Sequence, residues 1–127
     1  MLSNTLLPLA IALAGALGAL SRYALGCFIT KYISLRMPLG TFLINISGSF
    51  CIGILFALQK GNIINTQIQF ITATGFLGGY TTFSTMSWEG WQLAREGHPR
   101  GGVFYLFGSM LLGLIAVFLG ITIGGWF

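Results

Sequence analysis

The chain is divided into long stretches without a charged side chain, and these stretches fix what it can fold into. Met1 to Ser21 holds no charge, and apolar character resumes from Tyr23 to Ile29. Met37 to Gln59, Gly61 to Trp88 and Gly101 to Phe127 hold none either. Each stretch can form a helix that crosses about 30 Å of hydrocarbon, which takes about 20 residues. Lys31, Arg36 and Pro38 mark a first loop, Lys60-Gly61-Asn62 a second, and Arg95-Glu96-Gly97-His98-Pro99-Arg100 the most polar third. The pattern predicts an all-α membrane protein with a single four-helix transmembrane domain over residues 1–127. Its spans run over roughly 6–28, 38–59, 66–94 and 102–125. No basic residue precedes the first apolar run, so the first span is expected to stay rather than be cleaved as a signal peptide.

Composition narrows the function. Six Lys or Arg and two Asp or Glu make the chain 6% charged and 55% hydrophobic, against roughly 25% charged in soluble proteins. A soluble monomeric domain is excluded. The net charge of +4 is small and scattered, which argues against nucleic acid as a partner. One His and two acids supply little for polar catalysis, and no enzyme is expected. Cys27 and Cys51 lie in different spans without Cys-x-x-Cys spacing and read as small apolar residues.

Nineteen glycines, most of them inside the spans, give the helices faces for close approach. At four-residue spacing Ala14, Gly18, Arg22 and Gly26 share a face of the first span. Thr41, Asn45, Ser49 and Gly53 share one in the second, with Gly48 beside them. In the fourth, Gly108, Gly120 and Gly124 form one stripe and Tyr105, Ser109 and Gly113 its neighbour. Tight packing accounts for most of these glycines but not for the polar residues among them. Asn45 lies near mid-span, where a carboxamide facing lipid is costly. Two roles fit it: an interhelical hydrogen bond, or two N–H donors for a dehydrated anion. Arg22, the only basic residue inside a predicted span, can snorkel or lend positive potential to the mouth of an anion path.

The third span holds Gly75-Phe76-Leu77-Gly78-Gly79-Tyr80-Thr81-Thr82-Phe83-Ser84-Thr85-Met86. Paired glycines followed by hydroxyl residues predict a break near 78–82. A break frees backbone groups that lipid cannot satisfy. Freed carbonyls suit a cation, and hydroxyls with exposed N–H groups suit an anion. Phe83 adds the electropositive edge of its ring.

Three motifs together resemble the Fluc (CrcB) family of bacterial fluoride channels. They are Gly18-x-x-x-Arg22-Tyr23, Gly40-Thr41-x-x-x-Asn45-x-x-Gly48-x-x-x-x-Gly53, and Gly75-x-x-Gly78-Gly79-x-Thr81-Thr82-Phe83-Ser84-Thr85 with Glu89 downstream. The third is the most specific, and the resemblance covers every span. It implies an antiparallel, dual-topology-type dimer in the bacterial cell (inner) membrane, with two narrow pores at the interface through which fluoride leaves passively, relieving its toxicity. It implies a structural Na+ at that interface, bound by the backbone carbonyls of Gly78 and Thr81 from both subunits. Asn45 would be the pore-facing amide and Phe83 the first of two fluoride-touching aromatic positions. Ser84 and Thr85 would give hydroxyls in the break, Tyr105 and Ser109 a polar track, and Arg22 a vestibule. Fluoride holds its water tightly, so such a pore must replace that shell with several donors.

The chain departs from the family at three places. Met86 stands where the second pore phenylalanine falls, and Gly113 and Val117 stand where a Ser/Thr track often continues. Charge placement adds to this. With four spans, Lys31, Arg36, Arg95 and Arg100 lie on one side with Arg22 near that end, and Lys60 alone lies on the other. The positive-inside bias predicts both termini outside the cytoplasm. Since an antiparallel homodimer needs both orientations, the asymmetry favours pairing with an oppositely inserted homologous chain. Two other classes are a small multidrug exporter and a non-transporting assembly protein. The exporter needs a membrane-embedded acid, yet Glu89 and Glu96 are expected at or beyond a span end. The assembly protein leaves the hydroxyl-rich break without a purpose.

Overall fold

The computed structural model describes residues 1–127. Helix α1 covers Leu6–Tyr32 and α2 covers Leu39–Lys60. The Ser3 hydroxyl accepts the Leu6 N–H at the start of α1, and Pro38 precedes α2. After Gly61 and Asn62, whose φ of 58° reverses the chain, the next segment is built in pieces. Helix α3, Thr66–Gln69, is capped by Asn65, whose side chain accepts the Ile68 N–H at 2.8 Å. A π-helix follows over Phe70–Leu77, then α4 over Gly78–Tyr80. Thr81 and Thr82 are extended, with ψ of 157° and 118°. Helix α5 then covers Phe83–Arg95 and α6 covers Pro99–Gly124, with Pro99 in the first turn where its missing N–H costs nothing.

Helices α1, α2 and α6 are long and apolar enough to cross a membrane. Their 27, 22 and 26 residues give lengths of about 40, 33 and 39 Å at 1.5 Å per residue. The broken segment runs beside them. At one end Gln67 pairs with the backbone of Leu2 through two hydrogen bonds of 3.0 and 3.1 Å. At the other, Leu93 shares a cavity with Arg36 and Arg100.

The helices approach almost backbone to backbone. A Cβ at Gly18 would lie 1.9 Å from the Phe76 carbonyl oxygen, and one at Gly79 2.1 Å from that of Gly15. These contacts bind α1 to the π-helix and α4. Between α2 and α6, a Cβ at Gly53 would meet the Val117 carbonyl at 2.3 Å, and one at Gly120 the Phe50 carbonyl at 2.2 Å. The expected fourth-span stripe divides here: Gly120 and Gly124 pack on α2, whereas Gly108 faces open space. The reason is local, since α6 leans on α5 in that region, where Gly90 and Gly102 make the close contacts.

Only 17 of 127 residues are buried, and large apolar side chains such as Leu17, Leu20, Phe104 and Phe107 point outward. That inverts a soluble protein and suits a hydrocarbon solvent, in which small residues hold helices together. The one compact apolar cluster, Met86, Leu93 and Tyr105 with Phe42 and Leu106, joins α2, α5 and α6. It begins at Met86, about one turn of α5 beyond the break.

Candidate functional site

The break at Thr81–Thr82 is held by α2. Asn45 donates its amide N–H to the Thr82 carbonyl at 2.9 Å and accepts the Thr82 N–H at 2.8 Å. One side chain thus replaces the helical bonds that residue would otherwise make. In an unbroken helix the Thr82 N–H would close on the Gly78 carbonyl; its diversion to Asn45 leaves that oxygen free of it. The Thr82 hydroxyl accepts the Thr85 N–H at 3.2 Å and starts α5 as its N-cap. It also lies 3.1 Å from the Thr85 hydroxyl and 3.4 Å from that of Ser84.

The remaining Asn45 donor capacity points at Met86, whose sulfur lies 3.9 Å from the amide nitrogen. Of the two roles open to Asn45, the interhelical bond is therefore the one the geometry displays. Met86 is buried and lines the same cavity. Thr81 folds back, its hydroxyl donating to the Leu77 carbonyl at 3.0 Å. Arg22 reaches across from α1 and donates to the Thr81 carbonyl at 3.4 Å. Tyr80 is fixed by a hydroxyl contact with Ser47 at 2.9 Å and stacks on Phe76.

Two cavities meet at the break, and Thr82 lines both. The first, about 810 Å³, opens toward Lys31 and Arg36 and runs past Arg22 to Thr41, Thr85 and Glu89. The second, about 400 Å³, is walled by Asn45, Ser49, Phe83, Met86, Ser109 and Gly113. Phe83 projects from the bundle surface, 71% exposed. Ser84 and Thr85 are exposed on the first turn of α5. Ser109 is buried and its hydroxyl has no hydrogen-bond partner. Gly78, Thr81, Asn45, Phe83, Ser84, Thr85, Met86, Ser109 and Arg22 thus gather around one interruption of the chain.

Tyr105 is placed differently. It is 1% exposed and gives its hydroxyl to Glu89 Oε2 at 2.9 Å rather than to the second cavity. Thr41 donates to the other oxygen, Oε1, at 2.8 Å. Glu89, expected at or beyond a span end, lies inside α5, which continues to Arg95, and turns inward between α2 and α6. Sequence reasoning left Glu89 and Thr41 out of the site. The signal was present in the polar stripe Thr41, Asn45, Ser49, because a stripe that places Asn45 on the break places Thr41 one turn further along α5.

A bundle with three membrane-crossing helices and a broken segment held by a side-chain amide defines a multi-pass membrane protein built around a polar interruption. The family model described as CrcB-like protein, Camphor Resistance (CrcB), matches residues 9–121. The chain belongs to this family. It is 40% identical over 115 residues to a "Fluoride-specific ion channel FluC" of Acidobacterium capsulatum, covering 90% of this chain and 92% of that one. It is 39% identical over 117 residues to a protein of that name from Thermus thermophilus, covering 92% of each. With that of Nitrosococcus oceani it shares 43% identity over 114 residues, 89% of this chain and 91% of the relative. These relatives carry the name of a channel, not of an enzyme.

Proposed function

We propose that this chain is a fluoride-selective channel subunit through which fluoride leaves the cell passively. The observation that carries the proposal is the break itself, held by Asn45 at the meeting point of two cavities. Around it lie hydroxyls, an amide and an exposed ring, with no carboxylate in the second cavity. Neutral donors of this kind can replace a fluoride hydration shell without trapping the ion as a fixed positive charge would. The unpartnered Ser109 hydroxyl is a donor in waiting.

The finer architecture follows from the same reading. The broken segment is the fourth crossing, and the single transmembrane domain pairs antiparallel with a second subunit through the face bearing Phe83. A sodium ion would be held there by the Gly78 and Thr81 carbonyls of both subunits. The donor set fits: the Gly78 oxygen has lost its helical partner. The Thr81 oxygen accepts one long bond from Arg22 and keeps a second lone pair. Asn45, Phe83, Ser84, Thr85, Met86, Ser109 and Tyr105 form the pore set, the last through Glu89, with Arg22 in the vestibule.

The five-to-one division of basic residues and the thioether at Met86 favour a partner that is a homologous, oppositely inserted chain. Anion efflux from liposomes tests both levels. Fluoride released ahead of chloride by this chain alone supports a self-sufficient channel, and silence relieved by a second homologous chain supports the paired one. Chloride released as fast as fluoride removes the assignment. Labelling of engineered loop cysteines in intact cells reads orientation, and equal labelling from both faces would sink the fixed-orientation idea.

A further inference from the structure

Away from the break, a cavity of about 520 Å³ lies between the α1–α2 loop, the end of α5 and the start of α6. We propose that it binds the phosphate of an anionic phospholipid headgroup. Arg36 and Arg100 line it, with His98 and Gly101 beside them and Met37 and Leu93 as apolar wall. No carboxylate enters. The chain has only two acids, Glu89 and Glu96; neither lines this space, and Glu89 is engaged by Thr41 and Tyr105. Two arginines lining one cavity, both exposed and therefore free to turn their guanidinium groups inward, suit a phosphate, whose oxygens accept forked N–H pairs.

Helix α6 adds to this. The first amide to close on the chain before it is Gly102 N–H, on the His98 carbonyl at 3.0 Å. The amides of Arg100 and Gly101 precede it and lack intrahelical acceptors, at the positive end of a 26-residue helix. Position and surroundings select a lipid over a soluble anion. The cavity sits where α2 and α6 begin, at the end of the bundle that also carries Lys31 near the end of α1 and Arg95 at the end of α5, the level of headgroups on the positive side. Phe104 lies one turn along α6 from Arg100, on the same face, and is 75% exposed; Met37 is 47% exposed. Acyl chains can lie on both.

The purified chain in detergent, titrated with dioleoyl-phosphatidylglycerol or dioleoyl-phosphatidylcholine, tests this by native mass spectrometry. The anionic lipid should be retained roughly tenfold better or more, the effect of about 1.5 kcal/mol from a charge-assisted hydrogen bond. Arg36→Gln with Arg100→Gln should abolish the preference, and Lys60→Gln at the opposite end should leave it intact. Arg36→Lys with Arg100→Lys, which keeps charge and fold, should bind between the wild type and the Gln pair. No preference in the wild type, equal losses in the Gln pair and Lys60→Gln, or a Lys pair indistinguishable from wild type would overturn the site. Displacement of the lipid by millimolar inorganic phosphate would overturn its assignment to a lipid.

Discussion

Asn45 and Thr82 exchange two hydrogen bonds, 2.8 and 2.9 Å long, in which a side-chain carboxamide takes the place of a strand or helix neighbour. The pair joins α2 to the only extended residues between α4 and α5.

Asn45→Ala should therefore fail structurally and functionally together. It leaves the Thr82 N–H and C=O without their side-chain partner, at up to about 1–3 kcal/mol for each group. We expect a lower melting temperature in detergent and at least a tenfold loss of fluoride efflux, the kinetic equivalent of about 1.4 kcal/mol. A variant that melts and conducts like the wild type would show that the clamp is dispensable.

Ser109→Ala should separate the two readouts. The Ser109 hydroxyl is buried without a partner, so removing it relieves a desolvation cost of about 1 kcal/mol or more. Stability should hold or rise while fluoride efflux falls. Unchanged efflux would place Ser109 outside the ion path.

Thr41→Val and Tyr105→Phe should interact, because both hydroxyls serve the same carboxylate. Each alone leaves Glu89 one donor, and both together leave it none. A double-mutant cycle on unfolding should give a coupling of about 0.5–3 kcal/mol. Strict additivity would mean that Glu89 finds other partners.

Glycine substitutions should divide by position. Gly18→Ala drives a Cβ into the Phe76 carbonyl, and since neither backbone can yield cheaply the cost should reach at least about 1–3 kcal/mol. Gly108→Ala meets nothing within 4 Å and should be neutral or stabilising by up to about 1 kcal/mol. Thermal unfolding of the two variants side by side checks this, and equal destabilisation would contradict the packing described for α1.

The break is legible in the sequence because hydroxyl residues cluster at mid-span after paired glycines, although the glycines themselves stay helical in α4 and Gly79 packs on Gly15. The stripe through Gly18 is legible too, since four-residue spacing survives into the fold as the contact with Phe76. The π-helix over Phe70–Leu77 is not, because its register depends on how Gly75 and Gly79 seat against α1 rather than on residue type. Glu89 is placed only loosely from sequence, at or beyond a span end, because counting charges along the chain marks where a charge-free run stops and not which way a side chain turns. Only the fold turns it toward Thr41 and Tyr105. Asn45 stands out in the sequence, but which of its two roles it plays depends on the backbone opposite it.

In the proposed function, the donor-lined break passes fluoride and excludes larger halides by passive flow. Its most direct test is the reversal potential of currents through this chain, with its homologous partner where one is required, in planar bilayers with fluoride on one side and chloride on the other. Passive, selective conduction predicts a potential that follows the fluoride gradient and does not move with the proton gradient. A potential that follows chloride, or that shifts with pH at fixed fluoride, would contradict it.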